Sequence, residues 1–328
     1  MRKSLSKNEI RKKASDYLLN YCGSLNQNEK LLLIYDETTE NLIPLLENAA
    51  ARVTTFIEKT KIEILSQHGL EPPLNVSKKM LESNLILALT HKSLAHTKAR
   101  SNACNKGARY LSLAEYSLDV LENEAIFGVK KNKFSLLTKM ETILNQGKIV
   151  KIKTNLGTNL ELNIDKRIAN NCPGFVQKPG ELGSPPDMEV NVSPIEDYSF
   201  GNLIVDGSIT HPRLGLLKNP ISLEISKGKI SKISGKQEAK ELKKIFNELN
   251  NSKTKVLAEL GIGFNEKAKL CGNMLIDEGA ANCIHFGFGS NSTVGGKNEV
   301  SFHLDFIVKN ANLFVDDKLI IKKGKPLI

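Results

Sequence analysis

The first half of the chain alternates short apolar runs with stretches of helical spacing. Three continuous apolar runs suit strands buried on both faces: KLLLIYD (30–36), NLILALT (84–90) and YLSL (110–113). ENLIPLLENAAAR (40–52) and SLAHTKARSNACNKGAR (93–109) lie between them with helical periodicity. This alternation predicts an α/β domain built on a parallel sheet, closed by one long helical stretch over 117–147.

The pattern changes after residue 147. The segment KIVKIKTNLGTNLELNID (148–165) alternates apolar and polar residues on both sides of Asn155–Leu156–Gly157, which predicts a hairpin. Further strand-like runs follow: MEVNVSP, GNLIVDG, ISLEISKGKISKISG, KVLAELGIGF, NCIHFGFG and VSFHLDFIV. One helical stretch, KQEAKELKKIFNELNN, interrupts them. We therefore predict two domains, an α/β domain over 1–147 and a mainly β (α+β) domain over 148–328.

Composition and the lengths of the apolar runs indicate the cellular compartment of the protein. Hydrophobic residues make up 40% of the 328 residues, which is enough for a buried core, and aromatics only 5%, so the core is expected to be aliphatic. No apolar run reaches 18 residues, so no transmembrane helix and no membrane partner are expected. The basic N-terminus has the spacing of an amphipathic helix (Ile10, Ala14, Tyr17, Leu18) rather than of a secretory signal. These features predict a cytoplasmic protein.

Charge and cysteine usage exclude several ligand classes. The formal net charge is +10, but the lysines are spread along the chain, few aromatics are available to stack bases, and no nucleic-acid motif occurs. We therefore expect no nucleic-acid partner. The five cysteines form no CxxC pair, which disfavours a disulfide framework or a thiolate zinc site. The turn after the first predicted strand reads DETTENLIP rather than GxGxxG, so no dinucleotide cofactor is expected.

A metal site is the chemistry that the last part of the chain favours. In SFHLDFIV, His303 and Asp305 are two residues apart in a strand-like run, so both side chains point to the same face. His285 lies in the apolar run NCIHFGFG, and Glu259 lies inside LAELGIG, where a carboxylate is costly to bury unless it is paired or bound to metal. Glu189 has a similar setting in MEVNVSP. These five residues are the predicted metal ligands.

The donor types indicate which ions would bind. Three carboxylates and two imidazoles form a mixed oxygen and nitrogen set that suits Zn, Mn, Co or Fe rather than Ca. Five ligands exceed the three protein ligands of an ordinary catalytic zinc site, and a carboxylate that bridges two ions would fit the number. We therefore predict divalent metal, two ions (Zn, Co or Mn) per chain, with Fe(II) as the alternative.

These motifs resemble those of the aminopeptidase T family of metallopeptidases. The segments MEVNVSP, LAELGIGFN, CIHFGFG and SFHLD occur in the same order as in that family. The resemblance implies that Glu189, Glu259, His285, His303 and Asp305 supply the ligands of a two-metal site. It also implies that the protein forms a homodimer. The weaker similarity of THKSLAHTKARSNACNKGAR (90–109) implies that His96 lies near the cleft between the domains.

One departure separates the chain from those peptidases. Ser292 stands seven residues after His285, where the peptidases have a catalytic Tyr that can donate to a developing oxyanion. The turn STVGGK (292–297) and the HLD ending are similar instead to the 2,5-dihydroxypyridine 5,6-dioxygenases, which use one Fe(II). That resemblance implies iron ligation by two His and one Asp, with a His at the position of Glu259.

Three functions follow as expectations. The first is a metal-dependent, aminopeptidase-like hydrolase that attacks an amide or short peptide with metal-activated water. His96 would orient the substrate, and Glu181, Glu189 or Glu259 would act as general base, with His96 and Glu181 as the predicted catalytic pair. The second is a non-haem Fe(II) dioxygenase that cleaves an aromatic or heteroaromatic ring. The third is a metal-binding protein without turnover. A small-molecule or short-peptide substrate is expected.

Overall fold

A computed structural model of the chain describes residues 5–328. Backbone contacts divide it into two compact units. The first unit is Met1–Val129 with Cys172–Pro186, and the second is Lys130–Asn171 with Asp187–Ile328. The predicted amphipathic N-terminal helix is described from its capping residue Ser6 onward. Among residues 5–328, no helix combines the length and the apolar character needed to cross a membrane.

Strands and helices are numbered along the chain. The strands are β1 Leu31–Tyr35, β2 Ile57–Lys61, β3 Leu85–Leu89, β4 Arg109–Ser112, β5 Ile149–Lys153, β6 Asn159–Asn163, β7 Asn170–Cys172, β8 Leu182–Gly183, β9 Glu189–Val192, β10 Phe200–Val205, β11 Ser208–Ile209, β12 Gly215–Leu216, β13 Ile221–Ser226, β14 Lys229–Gly235, β15 Leu257–Gly263, β16 Cys283–Gly289, β17 His303–Lys309, β18 Asn312–Val315, β19 Lys318–Lys322 and β20 Lys325–Pro326. The α-helices are α1 Lys7–Asp16, α2 Ile43–Ala50, α3 Leu74–Leu81, α4 Lys98–Asn105, α5 Leu118–Glu122, α6 Phe134–Gln146, α7 Gln237–Leu249 and α8 Met274–Asp277. A π-helical segment, Tyr17–Cys22, continues α1, and short 3₁₀ helices span Glu40–Leu42, Glu124–Gly128, Lys131–Lys133, Ser252–Lys255 and Ser292–Val294.

The first unit is the predicted parallel α/β domain. Its sheet has the order β2-β1-β3-β4-β8, and all its strand pairs are parallel. Strand β1 is apolar throughout because both of its faces are covered: Leu32 and Ile34 join the core that contains α3 and α4, and Leu31 and Leu33 are fully buried on the other face. The predicted fold class is confirmed, since this unit is combined with a mainly antiparallel β unit.

Two strands of the first unit could not be predicted from the hydrophobic pattern. Strand β2, IEKTK, pairs only with β1 in this sheet and is only partly buried, so it lacks the continuous apolar run of a central strand. Strand β8 comes from the Pro- and Gly-rich segment after residue 172 and adds a fifth parallel strand beside β4. A two-residue strand carries no periodicity from which it could be predicted.

The predicted single helix over 117–147 is wrong, because the chain is broken there into α5, two 3₁₀ helices and α6. Asn123 takes an extended backbone conformation, and its side chain accepts a hydrogen bond from the amide of Ala125, which ends one helix and starts the next. Val129 and Lys130 are extended as well. Helix α6 contacts β9 and is grouped with the second unit, whereas the predicted boundary at 147/148 placed it in the first.

The second unit contains two antiparallel sheets. One has eight strands in the order β14-β13-β10-β6-β5-β18-β19-β20, and its β5–β6 pair is the predicted hairpin. The other has seven strands in the order β12-β11-β17-β16-β15-β9-β7. Helix α7 contacts β13 and β14 through its apolar stripe, which includes Leu242 and Phe246. The seven-stranded sheet carries all five predicted metal ligands.

One face of the seven-stranded sheet is a continuous apolar layer. A row of directly paired, fully buried residues crosses five strands: Val192, Leu260, Phe286, Phe306 and Ile209. The rings of Phe288 and Phe306 also pack edge to face with centroids 4.9 Å apart. Because side chains alternate along a strand, this layer leaves the opposite face of β9, β15, β16 and β17 for the polar residues.

Substituting Phe306→Ala is expected to destabilise the second unit by about 3–5 kcal/mol, because it opens a cavity in this apolar layer. Phe200→Ala is the matched control: Phe200 lies in the same unit, is 47% exposed, and should cost no more than about 0.5 kcal/mol. Urea unfolding of both variants measures the difference. Equal stabilities would contradict the assignment of Phe306 to the core.

Candidate metal centre

The structure brings the five predicted ligands together on one face of the seven-stranded sheet. Glu189 begins β9, Glu259 lies in β15, His285 in β16, and His303 and Asp305 in β17, and these four strands are neighbours. Their registers place side chains of the same face opposite one another, and all five residues share the face that is opposite the apolar layer. The reasoning from period-2 spacing therefore identified residues that converge in space.

Each of the five donor residues is paired with a glycine on a neighbouring strand. Gly261 lies opposite His285, and Gly287 lies opposite both Glu259 and Asp305. A Cβ atom at Gly261 would lie 2.1 Å from Nε2 of His285, and one at Gly287 would lie 2.5 Å from Nε2 of His303. The imidazoles thus occupy the space that side chains would fill at these positions. This is the physical reason for the glycines in LAELGIG and CIHFGFG.

The donor atoms form two groups that share Glu259. In the inner group, Nε2 of His285 lies 3.2 Å from Oε2 of Glu189 and 3.8 Å from Oε1 of Glu259. In the outer group, Nε2 of His303 lies 3.3 Å from Oε2 of Glu259 and 3.1 Å from Oδ1 of Asp305. One carboxylate therefore faces both imidazoles, which is the arrangement of a bridging ligand.

The two groups differ in access to solvent. The side chain of His303 is 31% exposed, whereas those of Glu189, Glu259, His285 and Asp305 are buried. Nδ1 of His303 lies 2.8 Å from the carbonyl oxygen of Ser290, which anchors the ring and directs Nε2 into the centre. The outer group is thus the part of the centre where a ligand from solution can arrive.

Burial and ion pairing set the protonation of these groups. Burial opposes ionisation of Glu259, but hydrogen bonds from His285 and His303 outweigh it and lower the pKa of Glu259 to about 2. Burial likewise opposes ionisation of Asp305, and the charge of His303 reverses this and lowers the pKa of Asp305. Burial disfavours the imidazolium of His285, but Glu189 and Glu259 raise its pKa to about 9. For Glu189 burial prevails and raises the pKa to about 7.

Four further polar residues belong to the centre and were missed by sequence reasoning. Burial raises the pKa values of Asp187 and Glu278 well above their usual range, and both carboxyls interact with Asp305. Asn191 donates to Oε1 of Glu189 at 2.6 Å, and the hydroxyl of Thr210 lies 3.4 Å from Oδ2 of Asp305. The sequence contained a signal for Asp187, because it precedes Glu189 by two residues, the spacing that puts two side chains on the same face of an extended segment. Glu278 and Thr210 carried none, because only the fold places them here.

The donor set fits a divalent transition metal. Two ligands about 2.1 Å from a common ion lie roughly 3–4 Å apart, and the distances within both groups fall in that range. Within the described chain, Oε2 of Glu189 and Nδ1 of His285 are buried without a hydrogen-bond partner. Buried polar atoms are rarely left in this state unless they bind something else. Ligation would account for Oε2 of Glu189, whereas Nδ1 of His285 lies on the side of the ring away from Nε2, the atom that faces the other donors.

The two residues predicted to be catalytic belong to the first unit. His96 is exposed in the turn before α4. Glu181 precedes β8, and its carboxylate accepts hydrogen bonds from the backbone amides of Gln177 and Lys178 at 2.6 and 2.9 Å. The structure thus gives Glu181 a local role in a turn. The catalytic roles of both residues stay predictions.

The fold and this cluster define a metal-centre protein that joins a parallel α/β unit to an antiparallel β unit. A sequence model of the 2,5-dihydroxypyridine 5,6-dioxygenase (NicX) family matches residues 46–327, so the chain belongs to this family. The curated 2,5-dihydroxypyridine 5,6-dioxygenase of Pseudomonas putida KT2440 is 27% identical over 194 residues, 56% of this chain and 55% of that protein. The match thus spans about half the length of this relative.

Solved structures show the same fold over almost the whole chain. The 2,5-dihydroxypyridine dioxygenase from Pseudomonas putida KT2440 superposes with a TM-score of 0.82 at 19% identity, covering 99% of this chain and 98% of its own. Wild-type AmpT from Thermus thermophilus superposes with a TM-score of 0.67 at 13% identity, covering 98% and 100%. Both resemblances inferred from the motifs are confirmed. The comparisons support a metal-dependent enzyme and favour the oxygenase alternative over the hydrolase.

Gly261→Ala is expected to weaken metal binding at the inner group about tenfold or more, because the new methyl group displaces the imidazole of His285. Ile262→Val is the control on the same strand: it faces the apolar layer, should cost about 0.5–1.5 kcal/mol of stability, and should keep the metal. Metal analysis after dialysis compares the two variants. Unchanged metal content in Gly261→Ala would contradict the proposed packing of His285 as a ligand.

Metal binding is expected to release protons at pH 6.5 and to strengthen as the pH rises toward 9. Without metal, Glu189 and His285 have pKa values of about 7 and about 9, both above their ordinary values, so both hold protons at pH 6.5 and must lose them to ligate. Calorimetric titration in two buffers of different ionisation enthalpy measures the protons released. His285→Gln should release fewer, and a proton-independent titration of the unsubstituted protein would refute the expectation.

Proposed function

We propose that the protein is a metal-dependent oxygenase that cleaves a hydroxylated aromatic or heteroaromatic ring, with Fe(II) held by the outer group. The observation that carries the proposal is the outer group itself, Glu259, His303 and Asp305, in a chain that belongs to the dioxygenase family. It combines one imidazole with two carboxylates and is exposed on one side, as a site with open positions for substrate and O₂ requires.

The residues around the outer group explain how it would be held. The carbonyl of Ser290 anchors Nδ1 of His303, so that Nε2 points at Asp305 and Glu259. The hydroxyl of Thr210 accepts a hydrogen bond from the backbone amide of Asp305 at 3.3 Å and donates one to Oδ2 of Asp305 at 3.4 Å. These two bonds hold the Asp305 side chain in place. Neighbours that hold a ligand in this way preserve its orientation and its affinity for metal. When bound, Fe(II) would bring O₂ and a chelating ring hydroxyl together.

The proposed reaction balances without an added reductant. One ring carbon–carbon bond breaks, and each of its two carbons gains one oxygen atom. The ring supplies the four electrons that reduce O₂, and both oxygen atoms stay in the opened product. The substrate class is therefore an electron-rich ring, and hydroxyl groups on adjacent or opposed carbons supply that character. The relative from Pseudomonas putida is named for such a ring, 2,5-dihydroxypyridine.

A second candidate, a two-metal hydrolase of amide bonds, is favoured by the inner group. Glu189 and His285 form a second set of donors on the other oxygen of Glu259, and Glu259 itself stands where the resemblance to the dioxygenases implies a His. Ser292 weighs against this candidate. Its hydroxyl lies 3.3 Å from that of Ser290 in the turn after β16, and a short side chain does not replace the phenol of the peptidases.

An oxygen-uptake experiment tests the proposal. Protein freed of metal with chelator is reloaded anaerobically with Fe(II), or with Zn(II), Co(II) or Mn(II), and exposed to air with a panel of dihydroxypyridines and hydroquinones or with aminoacyl amides. We expect one O₂ consumed per ring opened, with Fe(II) alone. Asp305→Asn should lose at least about a hundredfold in rate because it removes an outer ligand. Glu224→Gln, at an exposed position of β13, is the control and should keep the activity.

The alternatives give different results. Amide hydrolysis with Zn(II), Co(II) or Mn(II) and no O₂ uptake would replace the oxygenase by the hydrolase. Tight metal binding without turnover of any ring or amide would contradict both enzymatic candidates and leave a metal-binding protein. O₂ uptake that persists in Asp305→Asn would refute the assignment of the outer group.

A further inference from the structure

Asp187 is a buried carboxylate beside the metal centre that neither the predicted ligand set nor the proposed reaction uses. The residue is 5% exposed. Its Oδ1 atom is buried and has no hydrogen-bond partner in the described part of the chain. A buried carboxylate oxygen without a hydrogen-bond partner destabilises the folded protein, so a partner other than a protein atom is expected for this oxygen.

The backbone places Asp187 beside Glu189 of the inner group. Asp187 and Glu189 each offer a carboxylate oxygen within 4.8 Å of the other. The segment is clamped by the sheet, because the carbonyl of Met188 accepts the amide of Phe264 at 2.8 Å. On its far side the segment passes Gly279, where a Cβ atom would lie 2.8 Å from Oδ1 of Asp187. The position of the carboxylate is therefore set by the fold and not by a flexible loop.

A second carboxylate oxygen beside Asp187 is in the same state. Oε2 of Glu189 is buried and has no hydrogen-bond partner in the described part of the chain. Buried polar atoms are rarely left in this state unless they bind something else. A divalent cation that both carboxylates bind would account for Oδ1 of Asp187 and Oε2 of Glu189.

We propose that Asp187 is a further ligand of the divalent cation that Glu189 binds. Asp187 adds a hard carboxylate oxygen, which suits Mn²⁺ or a similarly hard divalent ion. This inference rests on the proposed metal dependence of the protein, but not on which reaction the outer group performs.

Mn²⁺ binding to the metal-free protein tests the inference. The isosteric variant Asp187→Asn removes the charge and leaves the shape. We expect unsubstituted protein to bind two Mn²⁺ per chain, and Asp187→Asn to bind one of them about tenfold or more weakly, as measured by calorimetric titration and by metal analysis after dialysis. Asp206→Asn is the control, since that partly buried carboxylate in the same unit pairs with Lys309.

Thermal unfolding separates a ligand from a structural residue. If Asp187 is a ligand, metal-free Asp187→Asn folds and has a melting temperature equal to or above that of the metal-free parent, because the amide keeps the shape of the carboxyl group. The rise in melting temperature on adding Mn²⁺ should then be smaller than in the parent. A metal-free variant that is less stable or unfolded, or a full Mn²⁺-induced rise, would overturn the assignment.

The two proposals fail in different ways. If the parent protein binds no divalent metal at all, the proposed function fails and takes this inference with it. If the parent binds two ions and Asp187→Asn binds two with unchanged affinity, only the role of Asp187 is refuted. If the parent takes up no O₂ but Asp187→Asn loses one ion, the inference stands and the oxygenase does not.

Discussion

The burial of several carboxylates and two imidazoles on one sheet face is the constraint on which the second unit depends. Removing ionised groups from water costs several kcal/mol for each, and mutual pairing offsets that only when the geometry is rigid. The apolar layer on the opposite face provides the rigidity, because Leu260, Phe286 and Phe306 hold β15, β16 and β17 in one register. The same register then determines which donors face one another.

Glycines leave room on this sheet face for the side chains of the predicted metal ligands. On this face of β15 and β16 each donor is followed by two glycines, and across the strands each donor is paired with a glycine. A flat ladder of larger side chains would push His285 and His303 away from Glu259, because their rings occupy the Cβ positions of Gly261 and Gly287. The distance between the two groups of donors therefore depends on the glycines of the backbone as well as on the donor side chains.

The chain combines features of two kinds of relative. It belongs to the 2,5-dihydroxypyridine 5,6-dioxygenase family and has the fold of a dioxygenase from that family, which is shared with AmpT. Yet Glu189, Glu259 and His285 form a second set of donors, and Asp187 adds another carboxylate beside them. Among the described donors, only His303 of the outer group is partly exposed to solvent. The inner group is therefore suited to hold a metal ion in place rather than to contact a substrate. A ligand from solution therefore meets the centre at His303.

The sequence by itself determined the alternation of elements and the fold class, and it identified the five residues that converge on one sheet face, because these features depend on local periodicity. Apolar runs identified β1, β3 and β4, and the two-residue spacing of His303 and Asp305 placed them on one face. Sequence reasoning failed over 117–147, where helical composition hides the break at Asn123, and at β2 and β8, which carry no apolar signal.

Only the tertiary structure decided which carboxylates join the centre and which do not. Glu181 and Glu189 were both predicted as possible general bases, but the first is bound by amides of its own turn and the second lies against His285. Asp187 and Glu278 come from a loop and from the end of α8, and strand pairing across distant parts of the chain brings them to Asp305. Such contacts between side chains depend on the register between strands that are far apart in sequence. The periodicity within one segment does not determine that register.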